Sequence, residues 1–213
     1  MADAERPVGE VSPETSSVLT RLLRSRRMTR VFSGGPPSDE VRVLCAEALR
    51  APSAGFSQGT HLVLMTEGDL TDFWSRSGAA EWFEKRAPGV LGATAVVLVC
   101  GDRQAYLDRY SEADKAGLGL GEADAWTIPY WLTDAAMVAE NLLLLVEERR
   151  WGALLFGLFE NQARYLRELG IPDSVFCIGA VAIGYRSPED RVSGSPTSRR
   201  RQPSADHVHA GRW

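Results

Sequence analysis

The sequence predicts an α+β layered domain in which one small central sheet, mixed or antiparallel, is covered by helices. Three observations lead there. Apolar runs of strand type are few and far apart, at His61–Thr66, Ala93–Cys100, Gly152–Gly157 and Val175–Ile183. Stretches with helical spacing fall between them. Gly- and Pro-rich breakers, such as Gly34-Gly35-Pro36-Pro37, separate the two kinds. Few strands interleaved with many helices suit a single sheet with helices packed on its faces.

The elements follow in order. Residues 1–15 are rich in Pro, Glu and Ser, and a disordered extension is expected there, with one domain over 16–213. Ser16 or Ser17 can cap a first helix, whose Val18, Leu19, Leu22 and Leu23 recur at helical spacing. Ser38 can cap a second, with Asp39 and Glu40 in its first turn and the stripe Val41, Leu44, Cys45, Ala48, Leu49. A run of small residues, Ala51 to Gly59, allows close backbone approach to something flat. The strand His61–Thr66 follows, then helical material around Phe73-Trp74 and Trp82-Phe83. Ala93–Cys100 carries β-branched residues on both faces, so both faces are expected to be covered.

Residues 101–130 show no single period. Tyr106, Tyr110, Trp126, Tyr130 and Trp131 are mixed there with charges and with Gly117, Gly119 and Gly121. A long stretch of this kind suits a lid or binding segment, and Tyr106, Tyr110, Trp126 and Tyr130 are candidates for a substrate wall; packing onto the core competes. Thr133 or Asp134 can cap a helix that is apolar on nearly all sides to Val146, and therefore central to the core or to a dimer interface. Asn161–Leu169 reads as a helix closed by Gly170 and Pro172. After the last strand, residues 186–213 are Ser-, Pro- and Arg-rich, as an extended arm would be.

Bulk properties remove several classes of function. The chain has 213 residues, 44% hydrophobic and 24% charged, as expected of one enzyme-sized domain. A net charge of −4 counts against nucleic acid as a partner. Cys45, Cys100 and Cys177 are scattered and form no CxxC pair, which reads as free thiols in a reducing compartment. His61, His207 and His209 form no ligand set, so no metal is expected. The acidic amino-terminal stretch lacks the apolar core of a signal peptide, and no run approaches the roughly 20 apolar residues of a membrane span. The expectation is a soluble, cytoplasmic protein.

The strongest chemical signal is Arg21–Arg30, with five arginines in ten residues. Guanidinium groups hold phosphate through a two-pronged donor face that lysine lacks, so the cluster calls for an anion. A second group, Arg199-Arg200-Arg201, lies near the other end, and both are expected on one phosphate. A solvated basic helix face with a basic tail is the competing reading.

Taken together, Arg26-Arg27-Met28-Thr29-Arg30-Val31-Phe32 and Ala51-Pro52-Ser53-Ala54-Gly55-Phe56-Ser57-Gln58 resemble the opening signature of the FMN-dependent nitroreductase family. The likeness continues through Gly152–Gly157, Ile183-Gly184-Tyr185, Arg201-Gln202-Pro203 and Gly211-Arg212-Trp213. It implies an interlocked homodimer with two FMN sites at the subunit interface. By position, Arg26, Arg27, Met28 and Arg30 match flavin contacts, and Arg199 and Arg201 match basic positions on its phosphate. Pro52, Ser53, Ala54, Phe56 and Gln58 fall in the segment that approaches the flavin from the partner subunit. Leu155, Phe156 and Gly157 match the strand end facing the ring, with the Gly157 N–H near N5.

Two departures stand out: the common signature has a hydroxyl residue at Met28 and asparagine at Phe56. Phenylalanine there also occurs in the family's flavin-fragmenting branch, which carries an aspartate where this chain has Met28. The activity implied is ping-pong reduction of a nitroaromatic, quinone or related small acceptor by NADH or NADPH through FMN. A non-catalytic FMN-storage protein and a flavin-dependent dehydrogenase remain as alternatives.

Overall fold

The structure is a computed structural model that describes residues 17–158, 162–192 and 194–213. The extension expected over residues 1–15 lies outside the described residues, as does the Asn161 start expected for the seventh helix.

Helix α1 (Val18–Ser25) starts where the sequence places it, with the Ser17 hydroxyl accepting from the Thr20 N–H. Helix α2 (Ser38–Ala48) carries the expected buried stripe Val41, Leu44, Cys45, Ala48. Its cap differs: Pro37 takes that position with no side-chain hydrogen bond, and Ser38 is already the first helical residue. Strand β1 (Thr60–Thr66) leads through α3 (Glu67–Arg76) and α4 (Ala79–Arg86) to β2 (Ala95–Asp102). The segment read as a lid forms α5 (Arg103–Ser111) followed by short 3-10 turns at Ala116–Leu118 and Ala123–Ala125. Helix α6 (Tyr130–Glu148), strand β3 (Gly152–Phe156), helix α7 (Gln162–Glu168), strand β4 (Val175–Gly184) and the one-turn α8 (Ser195–Ser198) complete the order.

Helix α6 begins at Tyr130, not at Thr133 or Asp134. Pro129 precedes it and has no N–H for a helical bond, a loss that costs nothing at a helix start. Asp134 therefore lies one turn inside the helix and is buried.

The four strands run in the order β1-β2-β4-β3, every neighbouring pair antiparallel. A single parallel bridge, Met28 to Ala153, adds residues of the arginine segment outside β3. Side chains on a strand alternate between faces, and β2 shows it residue by residue. Ala95, Val97 and Val99 join the cluster under α2 and α6, while Val96, Leu98 and Cys100 join the cluster under α3 and α4. Both faces are thus covered, which explains the unbroken apolar run in the sequence. Among the described residues no helix is long and apolar enough to cross a membrane.

Candidate functional site

The arginine segment is laid along β3 by backbone bonds. The Thr29 N–H donates to the Ala153 carbonyl at 2.8 Å, and the Met28 thioether accepts from the Leu155 N–H at 3.5 Å. Close approach here requires glycine at 152, since a Cβ there would stand 2.8 Å from the buried Thr29 side chain. Arg26, Arg27, Met28 and Arg30 are thereby brought to the β3 strand that ends in Leu155 and Phe156, with Gly157 just beyond.

The chain leaving β4 then folds back over the same segment. Ser187 N–H donates to the Val31 carbonyl at 3.0 Å and Tyr185 N–H to the Gly34 carbonyl at 2.8 Å. Asp190, nearly fully buried, fixes the turn: its carboxylate accepts from the N–H groups of Arg30 (2.8 Å) and Val31 (2.9 Å) and pairs with the Arg27 guanidinium. Arg186 donates to Thr29 Oγ1 at 3.1 Å and to Glu147 at 2.9 Å.

These contacts divide the front arginines. Arg27 is held by Asp190. The buried Arg26 Nε lies 3.3 Å from a Glu140 oxygen but has no hydrogen-bond partner. Arg30, half-buried, has no ion pair among the described residues. Donors at Arg26 and Arg30 therefore remain unused on the segment laid along β3.

The loop Ala51–Gly59 sits elsewhere. It enters β1, whose first residue pairs with Gly101 near the end of β2, and the Asp102 N–H donates to the Gly59 carbonyl at 2.7 Å. In the strand order this is the same end of the sheet as the end of β3, but on the opposite outer strand. Three strand spacings, about 14 Å, separate the two.

The loop is pinned from behind. The buried Asp134 carboxylate accepts from the Ala54 N–H and the Tyr106 hydroxyl, both at 2.8 Å. Arg109 Nε donates to the Gly55 carbonyl at 2.8 Å, and Ser53 Oγ accepts from the Gln58 N–H at 3.0 Å. Held this way, Phe56 and Gln58 adopt positive φ values of 58° and 52°, uncommon for residues with a Cβ. Phe56 is 74% exposed. A large aromatic side chain presented to solvent on strained backbone is a feature of binding loops.

The four residues read as a substrate wall do meet. Trp126 lies at ring-centroid distances of 4.7 Å from Tyr110, 5.8 Å from Tyr130 and 6.1 Å from Tyr106. Tyr106 and Tyr110 are buried, however, and serve as packing behind the loop; only Trp126 and Tyr130 retain open surface. Burial, then the hydrogen bond to Asp134, raises the Tyr106 phenol above the usual tyrosine range, keeping it a donor.

Two further features are exposed. Helix α1 buries no residue, and with α6 it borders a cavity of about 400 Å³ lined by leucines and Val18 together with Glu47, Asn141 and Glu148. Arg199 and Arg201 lie on the exposed arm, and among the described residues neither has an ion pair. The arm thus meets the front arginine segment through Arg186, Ser187 and Asp190.

A profile of the Nitroreductase family matches residues 23–185, which span the arginine segment, the pinned loop and all four strands. The chain belongs to the nitroreductase family. It is 27% identical over 199 residues to a putative NADH dehydrogenase/NAD(P)H nitroreductase of Archaeoglobus fulgidus, covering 91% of this chain and 97% of that protein. An NADPH-dependent oxidoreductase of Staphylococcus aureus is 22% identical over 85% of this chain and 70% of its own length. Nitroreductase CinD from Lactococcus lactis, solved with 4-nitrophenol, shares the fold at a TM-score of 0.69 and 18% identity, over 90% of this chain and 98% of that one. A putative nitroreductase from Desulfovibrio desulfuricans, solved with FMN, gives 0.64 and 21% over 93% and 99%.

Sequence reasoning missed Asp134, Arg186 and Asp190 in this nitroreductase chain. Asp134 has the look of a helix cap, and the other two sit in a charged tail. Their partners lie far off in sequence, so no local pattern marks them.

Proposed function

We propose that this chain is an FMN-dependent oxidoreductase that uses NADH or NADPH to reduce a nitroaromatic, a quinone or a related small acceptor. The observation that carries this reading is the pair of unused donors, the buried Arg26 Nε and the Arg30 guanidinium without an ion pair, on the segment laid along β3. A buried donor without a partner is rare in folded proteins, and such a donor with a second, half-buried guanidinium on the same segment suits an anionic ligand. The residues present therefore fit FMN, whose isoalloxazine ring, when bound, supplies a site that accepts a hydride and passes it on.

The chain's own residues have distinct duties. Arg30 offsets negative charge at the pyrimidine end of the ring, as a donor fixed before the reaction. The Gly157 main-chain N–H, just past β3, addresses the edge where hydride arrives. Met28 stands where the common family signature has a hydroxyl residue; its sulfur instead accepts the Leu155 N–H and steadies the strand end. Arg199 and Arg201 on the exposed arm are assigned to the phosphate, and Phe56 to the wall of the acceptor pocket.

The working unit is a homodimer. The arginine segment with β3 and the loop Pro52–Gln58 occupy opposite outer strands, so a second copy supplies the missing half of each site. Related proteins support the donor: those of A. fulgidus and S. aureus carry NAD(P)H and NADPH in their names.

An absorbance spectrum of the purified protein, recorded before and after anaerobic NADPH or NADH, tests the proposal. Flavin bands that bleach with either nicotinamide are expected. A colourless protein that takes up no added FMN would overturn it, and a yellow protein that neither donor bleaches would mark a storage protein. Arg26→Ala and Arg201→Ala should each lower FMN retention, more so at high salt, which screens exposed charge.

A further inference from the structure

Two sulfurs face each other across the sheet. In the antiparallel register of β2 and β4, Cys100 is paired directly with Cys177. Opposed residues of such a pair have Cα atoms about 4.5–5.5 Å apart, inside the roughly 4.4–6.8 Å that a disulfide spans. Both side chains belong to the face covered by α3 and α4, Cys100 inside that apolar cluster and Cys177 packed against it. The Cys177 thiol donates to the Gly179 carbonyl at 3.3 Å, and the Cys100 thiol lies within hydrogen-bonding reach of the Cys177 sulfur. Beside them the register slips: Val99 pairs with Gly179, leaving Ile178 as the extra residue of a bulge. Bulges bend a strand and re-aim its side chains.

The two thiols differ in access and acidity. Cys100 is fully buried, whereas Cys177 keeps part of its surface open. The hydrogen bond from Cys100 holds Cys177 below the usual cysteine range; the same bond, and then burial, push Cys100 up. The thiolate is the nucleophile in sulfur chemistry, so Cys177 is the attacking member. Cys100 waits behind it as the resolving thiol.

We propose that Cys100 and Cys177 form a dithiol site that hydroperoxides oxidise to a cross-strand disulfide. The Cys177 thiolate attacks the peroxide O–O bond; the sulfur takes one oxygen as a sulfenic acid, and the other leaves as an alcohol or water after protonation. The Cys100 thiol then attacks that sulfur, the S–S bond forms, and the sulfenic oxygen departs as water with the Cys100 proton. Two thiols lose two electrons, and one peroxide gains them. Cys45 is a built-in control: it lies in the cluster on the other face of the sheet, where burial pushes its thiol up to about 11.

The test uses the full chain, reduced, freed of reductant and treated with a small molar excess of hydrogen peroxide. Denatured protein should then show one titratable thiol where the reduced chain has three. Its intact mass should fall by two hydrogens, a peptide map should join the Cys100 and Cys177 segments, and dithiothreitol should reverse all three changes. Cys45→Ser should still form the bond, and Cys177→Ser should keep both remaining thiols. The proposal is overturned if the wild type keeps three thiols, if Cys177 gains oxygen while Cys100 stays free, or if the link joins two chains. Should Cys177→Ser fail to fold, the peptide map of Cys45→Ser decides between the same outcomes. None of these readouts depends on flavin.

Discussion

Asp134 governs the pinned loop through two short hydrogen bonds. Its carboxylate takes the Ala54 N–H from the loop and the Tyr106 hydroxyl from α5. Asp134→Ala leaves the buried Tyr106 hydroxyl without a partner, at roughly 1–3 kcal/mol, and the half-buried Ala54 N–H with it. Urea unfolding should show the loss, with Asp134→Asn falling between wild type and alanine, because an amide oxygen can still serve one donor. A change in Asp134→Ala within about 0.5 kcal/mol, the range of an ordinary surface substitution, would remove Asp134 from this role.

Tyr106 adds a pH dependence to the same pin. Its folded-state value lies above the ordinary tyrosine value of 10.0, through burial first and the Asp134 bond second. The unfolded chain therefore loses this proton first, so the contribution is complete below pH 10 and is lost as pH rises further. Wild type should lose stability faster than Tyr106→Phe above pH 10, and parallel curves would refute the assignment. None of this was legible in the sequence, where Asp134 has the spacing of a cap and Tyr106 the look of a pocket wall. A one-dimensional pattern reports the period of an element and not which distant N–H a carboxylate meets.

At the level of elements, the readable ones were those with a periodic apolar stripe or an unbroken apolar run. The stripe of α2, the apolar body of α6 and the two-faced strands β2 and β4 were all visible for that reason. Helix α5 was not, because its buried positions are only Tyr106 and Tyr110, one turn apart among charged neighbours. The start of α6 was misplaced because a proline, offering no side-chain cap, sets it. A second hidden constraint is the crossing of α6 over β2. A Cβ on Gly101 would stand 1.9 Å from the Trp131 carbonyl oxygen, which is backbone and cannot swing aside. Gly101→Ala should therefore destabilise by at least the roughly 1–3 kcal/mol typical of overpacking, read as a lower melting temperature. An unchanged melting temperature would mean that the helix start shifts freely on the sheet.

At the scale of the whole molecule, the proposed homodimer rests on a site split between two edges of the sheet and on the exposed stripe of α1. The motifs of the site were legible as motifs, but the sequence could not show that the strand order sends them to opposite edges of the sheet. Nor could helical spacing show that α1 buries no residue among the described residues, with Val18, Leu19 and Leu23 each more than half exposed. Isolated apolar side chains on a surface are ordinary, whereas a stripe on one helix beside a cavity marks an interface. A twofold partner on this stripe would cover it and could bring its own loop Pro52–Gln58 to the arginine segment. Leu19→Asp places a charge in the stripe without touching the core or any residue assigned to FMN. Sedimentation at micromolar concentration should then show monomer, and flavin should be lost in the same fractions, because each half-site has lost its complement. A Leu19→Asp protein that remains dimeric would move the interface to another face. A monomer that keeps its full flavin would show that one chain closes the site by itself.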